Sequence, residues 1–239
     1  MFSTTIKHIA NYFGIDIVRT KNSPRMTWLG LRGRNIRYII DVGANIGQFA
    51  MEAHGIFPGA EFICFEPIPE VANSLEANIA ANNIRARIER LALSDFIGKA
   101  TFNLHIDHSP SSSLLKTTAH TQDLYPQIAH QRGIEVALST LDVILKEHDL
   151  TGRNEILLKL DAQGNESKII SGAQRSLSFI DHVITEVNID LLFEGQASYF
   201  NIHQEMCKYG FHYAGALQPA YAENGHLVFF DALFTKVEL

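Results

Sequence analysis

The chain has 239 residues, 46% of them hydrophobic, 10% aromatic and 19% charged, a composition that excludes disorder, coiled coil and collagen. A chain of this length hides about 70% of its unfolded surface on folding, enough for one sizeable core. Lys and Arg total 20 against 26 Asp and Glu, and the net charge of -6 argues against a general affinity for nucleic-acid phosphates.

Charge is spread unevenly. Residues 1–40 carry Lys7, Arg19, Lys21, Arg25, Arg32, Arg34 and Arg37 against Asp16 alone. Such a segment is either a solvated face or a contact for an anionic membrane surface or an acidic substrate. The two cysteines, Cys64 in an apolar run and Cys207 in a helical pattern, form no disulfide framework and no metal-binding spacing. With no long apolar run and no signal-peptide pattern, the expectation is a cytoplasmic protein without a transmembrane segment.

Taken in order, residues 3–13 place Ile6, Ile9, Ala10 and Phe13 on one side of a helix, and a basic irregular connector follows over 19–35. This makes 1–35 an appended N-terminal piece and 36–239 the main domain. The main domain alternates short β-branched runs with helical stretches, the pattern of a parallel sheet covered by helices on both faces. The predicted order is strand Tyr38 to Val42, a helix to about Gly55, strand Glu61 to Glu66, helix Glu70 to Asn82, strand Ala86 to Leu93 and an outer strand Ala100 to His105. A polar loop containing Ser111 to Ser113 leads to a helix over 141–148. Strand Glu155 to Leu160, helix Glu166 to Leu177, strand His182 to Val187 and a helix over 198–209 come next. Phe211 to Leu217 and Leu227 to Thr235 close the chain as an antiparallel pair.

The segment Asp41-Val42-Gly43-Ala44-Asn45-Ile46-Gly47 is a strand breaking into a glycine turn ahead of a helix, a place where backbone amides approach a ligand closely. A dinucleotide site prefers G-x-G-x-x-G, and here Gly43 and Gly47 are spaced G-x-x-x-G, which weakens a nicotinamide reading. Glu66, nineteen positions after Gly47, closes the second strand before Pro67. A carboxylate there accepts hydrogen bonds from both hydroxyls of a ribose and repels a ribose phosphate, so the expected ligand is an unphosphorylated adenosine. The plainer alternative makes Asp41 and Glu66 caps for the neighbouring helices.

From here the chain resembles the FkbM family of S-adenosylmethionine-dependent methyltransferases. The ordered segments that carry the resemblance are Ile40 to Phe49, Phe65-Glu66-Pro67, Ala92-Leu93-Ser94-Asp95 with Gly98, Ser112-Ser113-Leu114, Thr140-Leu141-Asp142, Leu158 to Glu166, and Thr185-Glu186-Val187 with Glu194-Gly195-Gln196. Ala162 stands where the family usually has Val or Ile. The resemblance implies a Rossmann-like, class I methyltransferase fold, a seven-stranded and mostly parallel sheet ending in an antiparallel hairpin. It implies the cofactor S-adenosyl-L-methionine and O-methylation of a hydroxyl on a saccharide or polyketide-like metabolite. By the same resemblance Asp41 and the amides of Gly43, Ala44, Asn45 and Gly47 hold the methionine part, Glu66 holds the ribose, Leu93 and Ser94 lie by the adenine, and Pro67 belongs to the cofactor site; Ser111 to Ser113 either cap a helix or contact the cofactor, with Ser113 the favoured contact.

Methyl transfer is an in-line displacement that needs the acceptor oxygen positioned and a base for its proton. Strand alternation puts Lys159 and Asp161 on one face, and Glu186 and Asn188 share a face at the end of the fifth strand. Asp161 is the expected central catalytic residue, with Lys159 and Glu186 as partners. The alternative is that Asp161 caps the helix beginning near Asn165, with Lys159 as its ion-pair partner. Asp161, Glu166 and Glu186 offer oxygen ligands to a divalent cation, which the chemistry does not require, and no metal is assigned. His105, His108 and His203 are further candidate bases, and Phe193, Tyr199 and Phe200 candidate stacking surfaces for a sugar. A nicotinamide oxidoreductase and a catalytically silent cofactor-binding module remain the readings from other classes.

Overall fold

The computed structural model describes residues 33–153 and 155–236, together with residues 12 and 31. The helix expected over 3–13, apart from Tyr12, and nearly all of the basic connector lie outside the described residues. So does the question of where one domain would end and the other begin.

Seven strands form the main sheet in the order β3-β2-β1-β7-β8-β10-β9. They are β1 (Tyr38–Val42), β2 (Glu61–Phe65), β3 (Ala86–Glu89), β7 (Ile156–Leu160), β8 (His182–Asn188), β9 (Phe211–Tyr221) and β10 (Leu227–Lys236). The first five named run parallel, and β10 is antiparallel to both β8 and β9. This is the expected Rossmann-like sheet with a closing hairpin. Its central strands are apolar on both sides because helices cover both: Ile40, Leu158 and Leu160 enter one core cluster, Ile39, Phe62 and Leu157 the other.

The helices are α1 (Gln48–Ile56), α2 (Pro69–Ala81), α3 (Ala119–Leu124), α4 (Leu141–Glu147), α5 (Glu166–Ser171) and α6 (Tyr199–Lys208). Local chemistry sets their ends. Thr140 caps α4 by accepting from the Val143 amide, and Ser198 with Asn201 forms a capping box on α6. Among the described residues no helix is long and apolar enough to cross a membrane.

Three expected elements differ. The run Ala86 to Leu93 is two strands: β3 leaves the main sheet after Glu89, and Ala92–Leu93 (β4) joins a separate three-stranded sheet with β5 (Gly98–His105) and β6 (Gln131–Ser139) in the order β4-β6-β5. The polar loop before Thr140 contains α3 and β6, whose Ile134, Val136 and Leu138 pack inward with Phe102. The helix expected over 166–177 stops at Ser171 with Gly172 as its C-cap, a position where a Cβ would lie 2.2 Å from the Ser94 carbonyl oxygen. A separate 3-10 turn, Ser176–Ser178, follows, its Ser176 amide donating to Asp142 at 2.7 Å.

Candidate active site

All five parallel strands point their carboxyl ends to one edge of the sheet, and strand order reverses around β1, where β2 lies on one side and β7 on the other. Ligand crevices in open α/β sheets form at this switch point. A cavity of about 560 Å³ lies there. Its wall brings together Asp41, Gly43, Ala44, Asn45, Glu66, Pro67, Leu93, Lys159, Asp161 and Glu186. Gly47, Ser94 and Ser113 stand behind the wall.

The turn after β1 is built differently from an amide cradle. Gly43 and Ala44 donate their N–H groups to the Phe65 carbonyl, Asn45 donates to Glu66, and Gly47 donates to the Ala44 carbonyl. These amides are therefore bonded within the protein. Gly43 has φ +79, and a Cβ there would lie 1.8 Å from the Asp161 carbonyl oxygen. Its need for glycine comes from the neighbouring strand end. Gly47 has φ +93, and a Cβ would lie 2.9 Å from a Leu75 methyl, so it seats α1 on α2.

Asp41 sits between β2 and β7 with Cys64 and Lys159 as register neighbours. It is 1% exposed and its Oδ2 has no partner. Burial pushes its pKa up to about 7, with Lys159 opposing the rise and Asp161 and Glu66 adding to it. Glu66 closes β2. Its Oε1 accepts from the Ile68 amide at 2.8 Å and its Oε2 from the Asn45 amide at 3.1 Å. It thus ties the turn to the start of α2, and the remaining lone pairs of its oxygens are available to a ligand. Burial pushes it also to about 7, against the pull of the two amides.

At the end of β7, Lys159 Nζ donates to Asp161 Oδ2 at 2.9 Å and lies 4.0 Å from Asp231 Oδ1 and 5.6 Å from the Phe49 ring centre. Burial alone would lower the Lys159 pKa, but Asp161, Asp231 and Asp41 together hold it above the ordinary lysine value. Gln163 Nε2 donates to Asp161 Oδ1 at 2.8 Å and to Glu186 Oε1 at 3.2 Å, bridging the two carboxyls. Burial, then the charges of Asp161 and Glu166, raise Glu186 well above the usual carboxylate range. The cap on the α5 entry is made by Glu166, whose Oε1 accepts from the Ala162 and Gly164 amides at 2.8 and 3.2 Å. Asp161 is not that cap; it faces the cavity. Among the described residues no three His, Cys, Asp or Glu gather as metal ligands.

The remaining candidates separate. Ser113 Oγ donates to the Gln163 carbonyl at 2.7 Å, latching the small-sheet loop to the end of β7. Ser94 Oγ donates to Asp95 at 3.1 Å. His108 lines the cavity beside Ser111, whereas His105 is buried outside the wall and His203 lies on α6 next to Cys207. Phe193 lines the cavity; Tyr199 packs against Phe230 and Tyr213, and Phe200 is exposed.

Asp231, Gln163, Asn165, Asn188 and Phe49 also line the wall without having been singled out for it. Asp231 had a signal: it is the lone charge in Val228-Phe229-Phe230-Asp231-Ala232-Leu233-Phe234 and stands opposite Glu186 in the β8–β10 register.

The sheet order and the crevice at the ends of β1, β2 and β7 define a Rossmann-like α/β protein with a cavity at its switch point. The Methyltransferase FkbM domain model matches residues 41–213, and the chain belongs to the FkbM methyltransferase family. The chain is 29% identical over 155 residues to the 31-O-demethyl-FK506 methyltransferase FkbM of Streptomyces tacrolimicus, covering 57% of this chain and 59% of that protein. It is also 29% identical over 164 residues to the 2-O-methyltransferase NoeI of Sinorhizobium fredii, covering 66% of each. The chain thus spans less than two thirds of the length of these curated relatives. Among solved structures, the O-methyltransferase TomG of Streptomyces achromogenes in complex with SAM superposes with a TM-score of 0.49 at 11% identity, over 98% of this chain and 89% of that one.

Proposed function

We propose that the protein is an S-adenosylmethionine-dependent O-methyltransferase acting on a hydroxyl of a saccharide or polyketide-like metabolite. The observation that carries the cofactor is the charge of the cavity wall. Asp41, Glu52, Glu66, Asp161, Glu186 and Asp231 line it, and Lys159 is the lysine or arginine among its described residues. Burial raises the pKa of Asp41, Glu66, Glu186 and Asp231, so by itself the wall is only partly charged. A cationic ligand would favour their ionised forms, and a pyrophosphate would meet one ammonium among six carboxyl groups. When bound, S-adenosylmethionine supplies an electrophilic methyl group on sulfur.

The residues of the chain then have distinct tasks. Asp41, with an unpartnered buried oxygen beside the turn, pairs with the amino-acid end. Glu66 accepts from the ribose hydroxyls. Asp161, held by Lys159 and Gln163, would take the proton from the acceptor hydroxyl during transfer of the methyl group that the bound cofactor would supply. Methylation on oxygen is supported by the relatives' printed names, a 31-O-demethyl-FK506 methyltransferase and a 2-O-methyltransferase.

Calorimetric titration with S-adenosylhomocysteine beside NADH tests the cofactor. Binding of S-adenosylhomocysteine alone is expected; binding of NADH alone, or of neither, overturns the reading.

A further inference from the structure

The cavity has two unlike sides where it opens. The segment between β5 and β6 supplies the polar His108, Ser109, Ser111 and Gln127, all exposed or half-buried. Toward β8 and β10 the wall is Leu192, Phe193 and Phe229, and the apolar surface runs on out of the cavity through Ile189 and Leu191, which are 43% and 64% exposed. Beneath it Leu192, Phe193 and Val228 form a small cluster of their own with Leu115 and Phe229, apart from the cores on the two faces of the main sheet. Single apolar side chains on a surface are ordinary, but a run continuous with a cavity wall marks a binding surface.

Hydrogen bonds fix the loop that presents this lip. Ile189 donates its N–H to the Val228 carbonyl at 2.8 Å, and Thr118 Oγ1 donates to the Leu191 carbonyl at 3.1 Å. The buried Gln196 accepts from the Leu192 and Phe193 amides at 3.1 and 2.8 Å and donates to the Asp190 carbonyl at 2.8 Å. Ile189 and Leu191 are thus held outward by a backbone whose polar groups are satisfied. The lip begins beside the carboxylate end of β7: a Cβ at Gly164 would lie 3.1 Å from Phe193, and the adjoining Gln163 bonds to Asp161. The cavity measures about 560 Å³, and S-adenosylmethionine fills more than half of that. Only the reacting end of an acceptor then enters, and the rest of it lies across the mouth.

We propose that the lip takes the apolar body of an amphiphilic acceptor, a molecule whose hydroxyl reaches Asp161 while an attached hydrocarbon portion covers Ile189 and Leu191. This rests on the assignment of the cavity to methyl transfer, and it narrows the acceptor. A free, fully hydroxylated sugar leaves the lip in water, whereas one carrying an alkyl group removes that surface from water.

The probes are octyl β-D-glucoside, kept below its micelle-forming concentration, and methyl β-D-glucoside, each titrated calorimetrically into protein saturated with S-adenosylhomocysteine. The octyl glycoside is expected to bind at least tenfold more tightly. The double variant Ile189→Ser, Leu191→Ser is expected to cut that advantage to threefold or less while keeping its affinity for S-adenosylhomocysteine. Equal affinities in the unmodified protein, binding of neither glycoside, or an advantage that persists in the double variant overturns the proposal. If the double variant does not fold, Leu191→Ser, at the more exposed position, makes the same comparison. Sedimentation with phosphatidylcholine vesicles tests the other occupant: pelleting of the unmodified protein, lost in the variant, makes the lip a membrane contact and overturns the acceptor assignment. Failure to bind S-adenosylhomocysteine at all instead overturns the cofactor reading, and the acceptor assignment with it.

Discussion

Lys159 and Asp161 form an ion pair of 2.9 Å at the end of the central strand, and the Lys159 side chain is 6% exposed. A buried ammonium is tolerated only with compensating charge, and here Asp161, Asp231 and Asp41 surround it. The same ammonium restrains the mutual repulsion of those carboxylates.

Lys159→Met should therefore destabilise the protein by about 3–5 kcal/mol at pH 8, since it leaves buried carboxylates without their counter-charge. The loss should shrink at pH 5.5, below the Asp41 value of about 7, where that carboxyl holds a proton. Urea unfolding at both pH values checks this, and a pH-independent loss would assign the damage to packing against Phe49.

Glu66→Ala should weaken S-adenosylhomocysteine binding by about 1–3 kcal/mol through loss of charge-assisted hydrogen bonds to the ribose. Because Glu66 also accepts from the Asn45 and Ile68 amides, the variant should lose thermal stability as well. Calorimetry on folded protein separates the two effects. Unchanged affinity would remove Glu66 from the site.

Asp41 has a folded pKa of about 7, raised from the ordinary 3.8. The native state therefore keeps a proton that the unfolded chain releases between those values. Its stabilising effect is complete below about pH 4 and is lost as pH rises through about 7. Ligand-free protein should melt at lower temperature at pH 8 than at pH 5, and Asp41→Asn should flatten that dependence. At pH 8 each kcal/mol recovered by the variant raises the melting temperature by about 2–4 °C. In the unmodified protein, S-adenosylhomocysteine should bind more tightly as pH rises through about 7, because its ammonium pairs with the ionised form. A binding constant independent of pH would place the ammonium elsewhere.

Asp161→Asn should leave S-adenosylhomocysteine binding intact while lowering methyl transfer by about a hundredfold or more. Single-turnover assays with labelled S-adenosylmethionine measure it. Normal turnover would hand the proton to Glu186 or His108, both on the same wall.

What the sequence made legible follows from what is local. The glycine turn, Glu66 before Pro67 and the Lys159-Leu160-Asp161 alternation each lie within a few residues, and the parallel sheet brings their ends together. The strand β6 was also written in the chain, as the alternation Ile134, Val136, Leu138, but a polar approach through Gln131, Arg132 and Gly133 masked it. The break after Glu89 carried no such mark. There Arg90 turns outward to Asn73 and Glu76, and the chain changes sheets for reasons of tertiary packing. The latch from Ser113 to Gln163 and the placing of Asp231 opposite Glu186 join residues 50 and 45 positions apart, and only the folded topology states them. The fate of the turn amides was hidden for the same reason: their acceptor, the Phe65 carbonyl, lies on the neighbouring strand.

The contact between Gly43 and the Asp161 carbonyl joins the turn after β1 to the end of the neighbouring β7 with no room for even a methyl group. The two positions cannot drift independently: any side chain at 43 would press on the Asp161 backbone and displace the carboxylate that it carries into the cavity. The rim of the cavity, by contrast, is made from loop residues such as Ser109–Ser111, Leu192 and Phe193. The molecule is thus divided into a hub of fixed alignment and a margin open to revision, and a change of acceptor can be engineered at the margin while the hub is left alone.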